Sequence, residues 1–335
     1  MIDRDAAAQH FLDQTDWQGG TRRLLAGDAS NRRYERISHP DRPSVVLMDA
    51  PPEKGEDTRP FVKIARHLSG LGLSAPRVYA ADEQRGFLLI EDLGDALFAR
   101  VLEHHPEREP ALYEAAMDAL IVAQTANPPG GLKDYGPQAM TDAAMLVPEW
   151  YIAATGQNQF PSAEYRAVVA DLLQTHLKGS SVLVQRDYHA ENLLWLPDRE
   201  GVARVGLLDF QDAMLGHPAY DLASLLKDLR RDVSQEVQDS TLQLYITRTK
   251  AEPTQFRAAY AACSAQRNLR VLGVFTRLCV RDGKTSYPDL LIRLWRNLRS
   301  DLAHPALAEL KQFVHAHIPE PTPQVIARIK DAANG

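Results

Sequence analysis

Two short polar clusters contain the residue types that phosphoryl transfer requires. The first, residues 185–192, has a carboxylate at Asp187 and then an amide at Asn192. The second follows the apolar run 202–208 with a carboxylate at Asp209. One carboxylate can orient an attacking hydroxyl and accept its proton, while an amide oxygen and a second carboxylate can hold Mg²⁺ on nucleotide phosphates. This arrangement therefore indicates a kinase.

Both clusters are expected at the ends of β-strands. Residues 182–184 and 202–208 would lead into the clusters, and residues 193–196 would lead away from the first one. Residues 197–201 contain Pro, Asp and Gly, which predicts the turn of a hairpin. A single Asp-x4-Asn or a strand ending in Asp is usually structural. The kinase interpretation rests on their combination in this order.

Length and composition limit the other possibilities. A chain of 335 residues suits two lobes better than one core. The net charge of -6 provides no basic face for a nucleic-acid partner. Cys263 and Cys279 form no C-x-x-C pair and are expected to be small core residues. We see neither a signal peptide nor a membrane span, so we expect a cytoplasmic protein without a membrane partner.

The rest of the pattern predicts an α+β, bilobal fold. Turns and strands alternate over residues 21–50, with strands expected at 21–26, 33–37 and 44–48, and this order reads as an antiparallel meander. An amphipathic helix over 60–71 and strands at 78–80 and 87–90 follow. The pattern changes at 91–94, and the remainder is mostly helical. We therefore predict a small β-rich, nucleotide-binding N-lobe (1–92) and a larger helical C-lobe (93–335) that carries the catalytic hairpin and the acceptor-binding helices.

These segments resemble the aminoglycoside phosphotransferase and choline kinase group, a branch of the protein-kinase-like fold. Within it, the chain is most similar to the kinases that phosphorylate the anomeric hydroxyl of N-acetylmuramate and N-acetylglucosamine in bacterial cell-wall recycling. The similarity lies in residues 25–34, 46–52, 185–192 and 266–275. It implies a phosphotransferase that uses ATP and Mg²⁺ and acts on a small sugar. We expect a monomer.

The resemblance also implies roles for individual residues. Asp187 would be the catalytic carboxylate, and Asn192 and Asp209 would be the Mg²⁺ ligands. His189 would stabilise the catalytic loop, and Asp221 would cap a helix and hydrogen-bond that loop. The residues implied to bind ATP lie in the phosphate-covering turn and the hinge: Ser30, Asn31, Arg32, Glu91 and Leu93.

Candidates for the acceptor site are less specific. Arg267 and Arg270 could bind the lactyl carboxylate of N-acetylmuramate, because a guanidinium fork matches a carboxylate. Glu149 and Trp150 could bind a hydroxyl group and stack on a sugar, and Asp212 could touch metal or substrate. Each has an ordinary alternative: a solvated helix face, aromatic packing or a solvated loop.

Two departures from the family pattern leave alternatives open. Gln185 and Arg186 stand where the family usually has His and Gly, and the strand at 45–49 lacks the phosphate-binding lysine. Arg32, Arg33 or Lys63 could replace that lysine, or ATP could bind without it. The alternative functions are a same-fold kinase of an aminoglycoside, choline or homoserine, and an inactive nucleotide-binding regulatory module.

Overall fold

The computed structural model describes residues 3–27, 31–157, 159–179 and 181–333. The chain forms two compact units. The first unit comprises Met1–Pro129 and Ala190–Ala213, and the second comprises Gly130–His189 and Met214–Gly335. The boundaries of these units differ from the predicted lobe boundary at residue 92. Residues 93–129 and 190–213 group with the N-terminal sheet.

The strands and helices are as follows. The strands are β1 (Thr21–Gly27), β2 (Arg33–His39), β3 (Arg42–Asp49), β4 (Val78–Asp82), β5 (Phe87–Glu91), β6 (Val182–Val184), β7 (Leu193–Trp195), β8 (Val205–Leu207) and β9 (Met214–Gly216). The helices are α1 (Arg4–Asp13), α2 (Arg59–Gly70), α3 (Phe98–His104), α4 (Glu109–Thr125), α5 (Pro137–Ala144), α6 (Ala153–Thr155), α7 (Ser162–His176), α8 (Ala219–Leu226), α9 (Gln235–Thr249), α10 (Pro253–Val280), α11 (Leu291–Asp301), α12 (Ala308–His317) and α13 (Pro323–Asp331).

The main sheet of the first unit is antiparallel, with the strand order β1-β2-β3-β5-β4. Successive side chains of a strand point to opposite faces, so the alternation in β3 separates two environments. Val45 and Leu47 pack in a core with Phe11 and Leu12 of α1. Val46, which pairs with Ile90 of β5, belongs to the opposite face. This sheet, followed by a helical C-terminal region, confirms the predicted α+β fold.

The hairpin predicted after residue 192 forms, but with a shorter second strand than expected. β7 and β8 pair antiparallel, with Leu193 opposite Leu207. The prediction of a strand from residue 202 is wrong at its start, because Gly201–Arg204 form a 3₁₀ turn. β9 was not foreseen. It pairs with β6 in the second unit, opposing Gly216 to Val182. A strand of three residues is too short to show a periodic pattern.

The second unit is organised around α10, which is 28 residues long and buried along most of its length. Both cysteines lie in this helix and are buried, as predicted. A side chain at Gly273 of α10 would come within 2.5 Å of Leu146, so glycine permits the close approach of the neighbouring π-helical turn Val147–Ile152. Among the residues described, every helix is too short or too polar to span a lipid bilayer.

Candidate active site

The first unit contains a cavity of about 290 Å³. Most of its lining is apolar and includes Leu25, Val46, Ile90, Leu194 and Leu208. Leu25 is 40% exposed, so part of its side chain remains available to contact a ligand. Apolar walls with a few polar groups are typical of a small-molecule site, and flat apolar surfaces suit a nucleotide base.

The hinge segment that lines this cavity is held by Arg36, which the sequence analysis did not single out. Its guanidinium binds both carboxylate oxygens of Asp92, at 2.7 and 2.9 Å, and also contacts Asp95 at 2.9 Å. Burial raises the pKa of Asp92, but hydrogen bonds from Arg36 and Ser44 outweigh it and hold that pKa below its usual value. The backbone next to the cavity is therefore anchored by side chains from the sheet.

Two of the residues predicted to bind ATP, Glu91 and Leu93, line the cavity. The Glu91 carboxylate accepts hydrogen bonds from Arg199 Nη2 at 2.6 Å and from the Arg77 N–H at 3.2 Å. Its side chain therefore has structural contacts, and a role in adenine binding would fall to the backbone, as expected from the sequence.

The phosphate-covering turn is described from Asn31 onward, and Ser30 lies outside the described residues. Glu56 accepts from the Asn31 N–H at 3.1 Å and from Arg32 Nε at 2.8 Å. Arg32 also interacts with Tyr34, which lines the cavity. Of the three cations considered as replacements for the lysine, Arg32 therefore has a contact with the cavity wall.

Asn192 and Asp209 lie together at the lining of the same cavity. The β7–β8 pairing brings them close, because Asn192 precedes β7, Asp209 follows β8, and the Leu208 N–H donates to the Asn192 carbonyl at 2.9 Å. Asn192 Nδ2 lies 3.4 Å from Asp209 Oδ2. Asp209 has a φ of 56°, a left-handed conformation that Asp tolerates better than most residues.

This pair has the chemistry of a Mg²⁺ site. Carboxylate and amide oxygens are hard ligands, and Mg²⁺ usually takes one or two carboxylates and completes its shell with water and phosphate. Within the part of the chain that is described, no group of three or more His, Cys, Asp or Glu side chains could hold a metal ion by itself. Asn192 and Asp209 would therefore share the ion with nucleotide phosphates.

Asp187 lies in the second unit, on the loop after β6, and is half-buried. The preceding loop is held by Asp221 of α8, which is fully buried. Its carboxylate accepts from the N–H groups of Gln185, at 2.6 Å, and Arg186, at 2.8 Å. Asp221 therefore supports the loop but does not cap the helix, since α8 begins before it, at Ala219. Burial raises the pKa of Asp221 to about 7.

Arg186, next to Asp187, has a φ of 74°. The left-handed region costs an L-residue about 1–2 kcal/mol relative to a right-handed conformation, whereas glycine adopts it freely. The backbone is held there by Asp221 and by Ser224 Oγ, which donates to the Arg186 carbonyl at 3.3 Å. A position of this kind suits the glycine usual in the family, so an arginine here is unexpected on conformational grounds.

Three arginines surround Asp187 electrostatically. Burial raises its pKa, but the charge of Arg270, then that of His189 when protonated, and then those of Arg267 and Arg186 outweigh burial and place the pKa below its usual value. Arg267 and Arg270 both come from α10. The structure therefore brings these two predicted arginines into the surroundings of Asp187 and keeps its carboxylate ionised.

His189 is buried beside the same loop. Its Nε2 lies 3.0 Å from Arg230 Nη1. Because a guanidinium only donates, Nε2 is the acceptor and the ring proton sits on Nδ1. Burial lowers the pKa of His189 to about 4, so the ring is neutral at physiological pH. With its lone pair engaged, His189 is suited to the structural role expected for it and not to that of a base.

The sequence analysis missed Tyr135, Tyr220, Asp228 and Arg230. Tyr135 and Tyr220 stack edge to face, with ring centroids 5.2 Å apart. The Asp228 carboxylate accepts from the Arg230 N–H at 2.8 Å. Tyr220 belongs to the segment 216–223, which resembles the family's segment after the metal-binding Asp, but no role was expected for it; the other three belong to no motif that would have found them.

The remaining predicted acceptor residues are Glu149, Trp150 and Asp212. Glu149 is exposed and Trp150 half-buried on the π-helical turn, a kind of element that is frequent at functional sites. Asp212 is exposed and belongs to the first unit. Their roles in acceptor binding stay predictions.

An antiparallel N-terminal sheet followed by a helical C-terminal region is the arrangement of phosphotransferases with the protein-kinase-like fold. The chain matches the phosphotransferase enzyme family (APH) over residues 21–259 and belongs to it. It is 38% identical to the N-acetylmuramate/N-acetylglucosamine kinase of Caulobacter vibrioides, across 96% of this chain and 98% of that protein.

Two further proteins extend the comparison. The N-acetylmuramate/N-acetylglucosamine kinase of Pseudomonas aeruginosa is 36% identical, across 88% of each chain. A choline/ethanolamine kinase family protein from Mesorhizobium loti has a similar structure, with a TM-score of 0.63 over 98% of this chain and 99% of that one. At 14% identity, that structure shows the shared fold alone. Family and fold are as the sequence analysis predicted.

Proposed function

We propose that this protein is an ATP-dependent kinase that phosphorylates the anomeric hydroxyl of N-acetylmuramate and N-acetylglucosamine, giving the sugar 1-phosphates in peptidoglycan recycling. The kinase chemistry is supported by one observation above the others. The β7–β8 pairing places Asn192 and Asp209 together at an apolar cavity. The choice of sugars is supported by the names of the two relatives, which match this chain over most of its length.

In the proposed reaction, the anomeric oxygen attacks the γ-phosphorus of ATP. A new P–O bond forms as the bond from the γ-phosphorus to the bridging oxygen breaks, and ADP leaves with that electron pair. The hydroxyl proton passes to the Asp187 carboxylate. Because its pKa is depressed, Asp187 is ionised before the reaction and acts chiefly by orienting the hydroxyl. The Asp221 hydrogen bonds hold the loop that positions it.

Asn192 and Asp209 would hold Mg²⁺ in this enzyme. When bound, the ion neutralises charge on the phosphates, which is the main electrostatic requirement of phosphoryl transfer. Gln211 Nε2 donates to Asp209 Oδ1 at 2.5 Å and fixes the orientation of that carboxylate. With ATP and a recycled sugar as substrates, we place the enzyme in the cytoplasm, as a monomer.

ADP release by the purified protein tests this function. ATP and Mg²⁺ would be supplied with N-acetylmuramate, N-acetylglucosamine, kanamycin, choline or no acceptor. We expect release with the two amino sugars only, and phosphorus NMR should place the phosphate on the anomeric carbon. Release with kanamycin or choline alone would replace the sugar assignment. ATP binding without acceptor-dependent release would indicate a regulatory module instead.

A further inference from the structure

Arg186 occupies a strained position that the fold holds firmly. Both of its backbone polar groups are engaged, the N–H with Asp221 and the carbonyl with Ser224. Its guanidinium lies over the Tyr135 ring, 5.4 Å from the centroid. An aromatic face of this kind orients a guanidinium while leaving its edge able to bind a ligand. The side chain is half-buried, so it keeps access to solvent.

Arg270 is the second cation of this region. It is half-buried on α10 and interacts with Tyr220 and Tyr135. The Nε atoms of Arg186 and Arg270 are both buried, and neither has a hydrogen-bond partner among the described residues. Buried donors in native proteins are almost always satisfied, and exceptions often mark a site where a ligand supplies the acceptor.

Several arginines act on Asp187. They are Arg186, Arg267 and Arg270, and the neighbouring Asp221 carboxylate already accepts two backbone N–H groups. The neighbouring His189 is neutral at physiological pH. An anionic acceptor would gain a charge-assisted interaction with these arginines that a neutral sugar lacks.

We propose that Arg186 and Arg270 form a carboxylate-binding subsite for the acceptor, and that Arg186 determines the preference for N-acetylmuramate over N-acetylglucosamine. The first sugar carries a lactyl carboxylate and the second carries a hydroxyl at that position. A guanidinium can bind both oxygens of a carboxylate through parallel hydrogen bonds. This inference rests on the proposed function and adds to it the residue that separates its two substrates.

The variant Arg186→Gly tests this subsite. Glycine adopts a φ of 74° without strain, so the fold should be retained and the melting temperature should not fall. Steady-state kinetics would be measured with N-acetylmuramate, its lactyl methyl ester and N-acetylglucosamine. We expect KM for N-acetylmuramate to rise at least about tenfold more than KM for the two acceptors that lack the negative charge, whereas any effect through Asp187 would change kcat equally for all three. Arg186→Lys keeps the charge but not the planar guanidinium, so its KM for N-acetylmuramate should lie between those of the wild type and Arg186→Gly.

Lys250→Gly is a matched control. Lys250 is also a cation at positive φ, 56°, but it ends α9 on the surface, so its replacement should leave the kinetics with all three acceptors unchanged. An equal loss of activity with charged and neutral acceptors in Arg186→Gly would overturn the proposal, since Arg186 would then act on a group common to both. An unchanged KM for N-acetylmuramate would also overturn it. If the wild type phosphorylates neither sugar, the proposed function itself fails.

Discussion

The cavity of the first unit and the Asp187 region of the second differ in the kind of side chain that they present. The cavity is lined mainly by aliphatic side chains, and its polar residues are paired with neighbours such as Arg36–Asp92 and Gln211–Asp209. The Asp187 region holds several charged side chains in a buried setting with incomplete pairing. The first arrangement suits a flat base and a metal-bound phosphate chain, and the second suits a polar acceptor.

This contrast indicates which substitutions should matter most. A nucleotide base is held by apolar walls and backbone groups. Replacing one side chain of such a site should change nucleotide affinity little, because no single contact dominates. Buried charges lack solvent screening, so each replacement changes the free energy strongly. We therefore expect large effects on turnover from the Asp187 region and the Mg²⁺ ligands, and modest effects on nucleotide affinity from the hinge.

The largest effect is expected for Asp187→Asn. An amide cannot accept the hydroxyl proton, so kcat should fall by about a thousandfold while ATP binding is retained. ADP release and calorimetric ATP titration would measure the two quantities separately. Asp171→Asn, an exposed site in the same unit, is the control and should behave as the wild type. If Asp187→Asn kept more than a tenth of the wild-type kcat, Asp187 would not be the catalytic carboxylate.

Asp209→Asn should lower kcat by about a hundredfold at ordinary Mg²⁺ concentrations, because the ion has few protein ligands and one of them loses its charge. Asparagine also tolerates a φ of 56°, so the backbone should be unchanged. A Mg²⁺ titration should show a higher requirement and partial recovery at high concentration. Asp41→Asn, on an exposed turn of the first unit, serves as control. An unaltered Mg²⁺ dependence would argue against a metal at Asp209.

The variant Asp301→Asn tests the effect of a buried carboxyl group in the second unit that has no proposed role in the reaction. Asp301 accepts from Ser264 Oγ at 2.7 Å and from Asn268 Nδ2 at 2.9 Å, and burial raises its pKa to about 7. Because this folded-state pKa exceeds the unfolded value, the stabilising contribution of Asp301 is full below about pH 4 and is lost as pH rises through 7.

The wild-type advantage in unfolding free energy over Asp301→Asn should therefore shrink by about 2 kcal/mol between pH 5 and pH 8. Urea unfolding of both proteins at four pH values in this range would measure it. Parallel pH profiles for the two proteins would mean that Asp301 does not titrate in this range, and the contrast between the regions would weaken.

The smallest effect is expected for Arg36→Met. Loss of the hydrogen bonds to Asp92 and Asp95 loosens the hinge, so KM for ATP should rise about threefold with kcat nearly unchanged. Arg23→Met, an exposed arginine of β1, is the matched control. A fall in kcat at constant KM would mean that the hinge acts on the reaction and not on nucleotide binding.

Local signals in the sequence predicted much of the fold. Short β-prone runs bounded by polar turns predicted β2, β3 and β5, because turn residues and short apolar segments are visible in the local sequence. Spacing also predicted the hairpin that brings Asn192 and Asp209 together. The 3₁₀ turn at Gly201–Arg204 and the strand β9 were not predicted, since such short elements depend on tertiary partners.

The residue types for phosphoryl transfer, their order along the chain and the strands that carry them were determined by the sequence itself, because these are properties of neighbouring residues. Only the tertiary structure decided what surrounds Asp187. Arg186, Asp221 and Arg270 come from separate elements, and burial together with the surrounding charges sets the pKa values of Asp187 and Asp221. Electrostatic free energy depends on distance and solvent exposure in three dimensions, which no local pattern encodes.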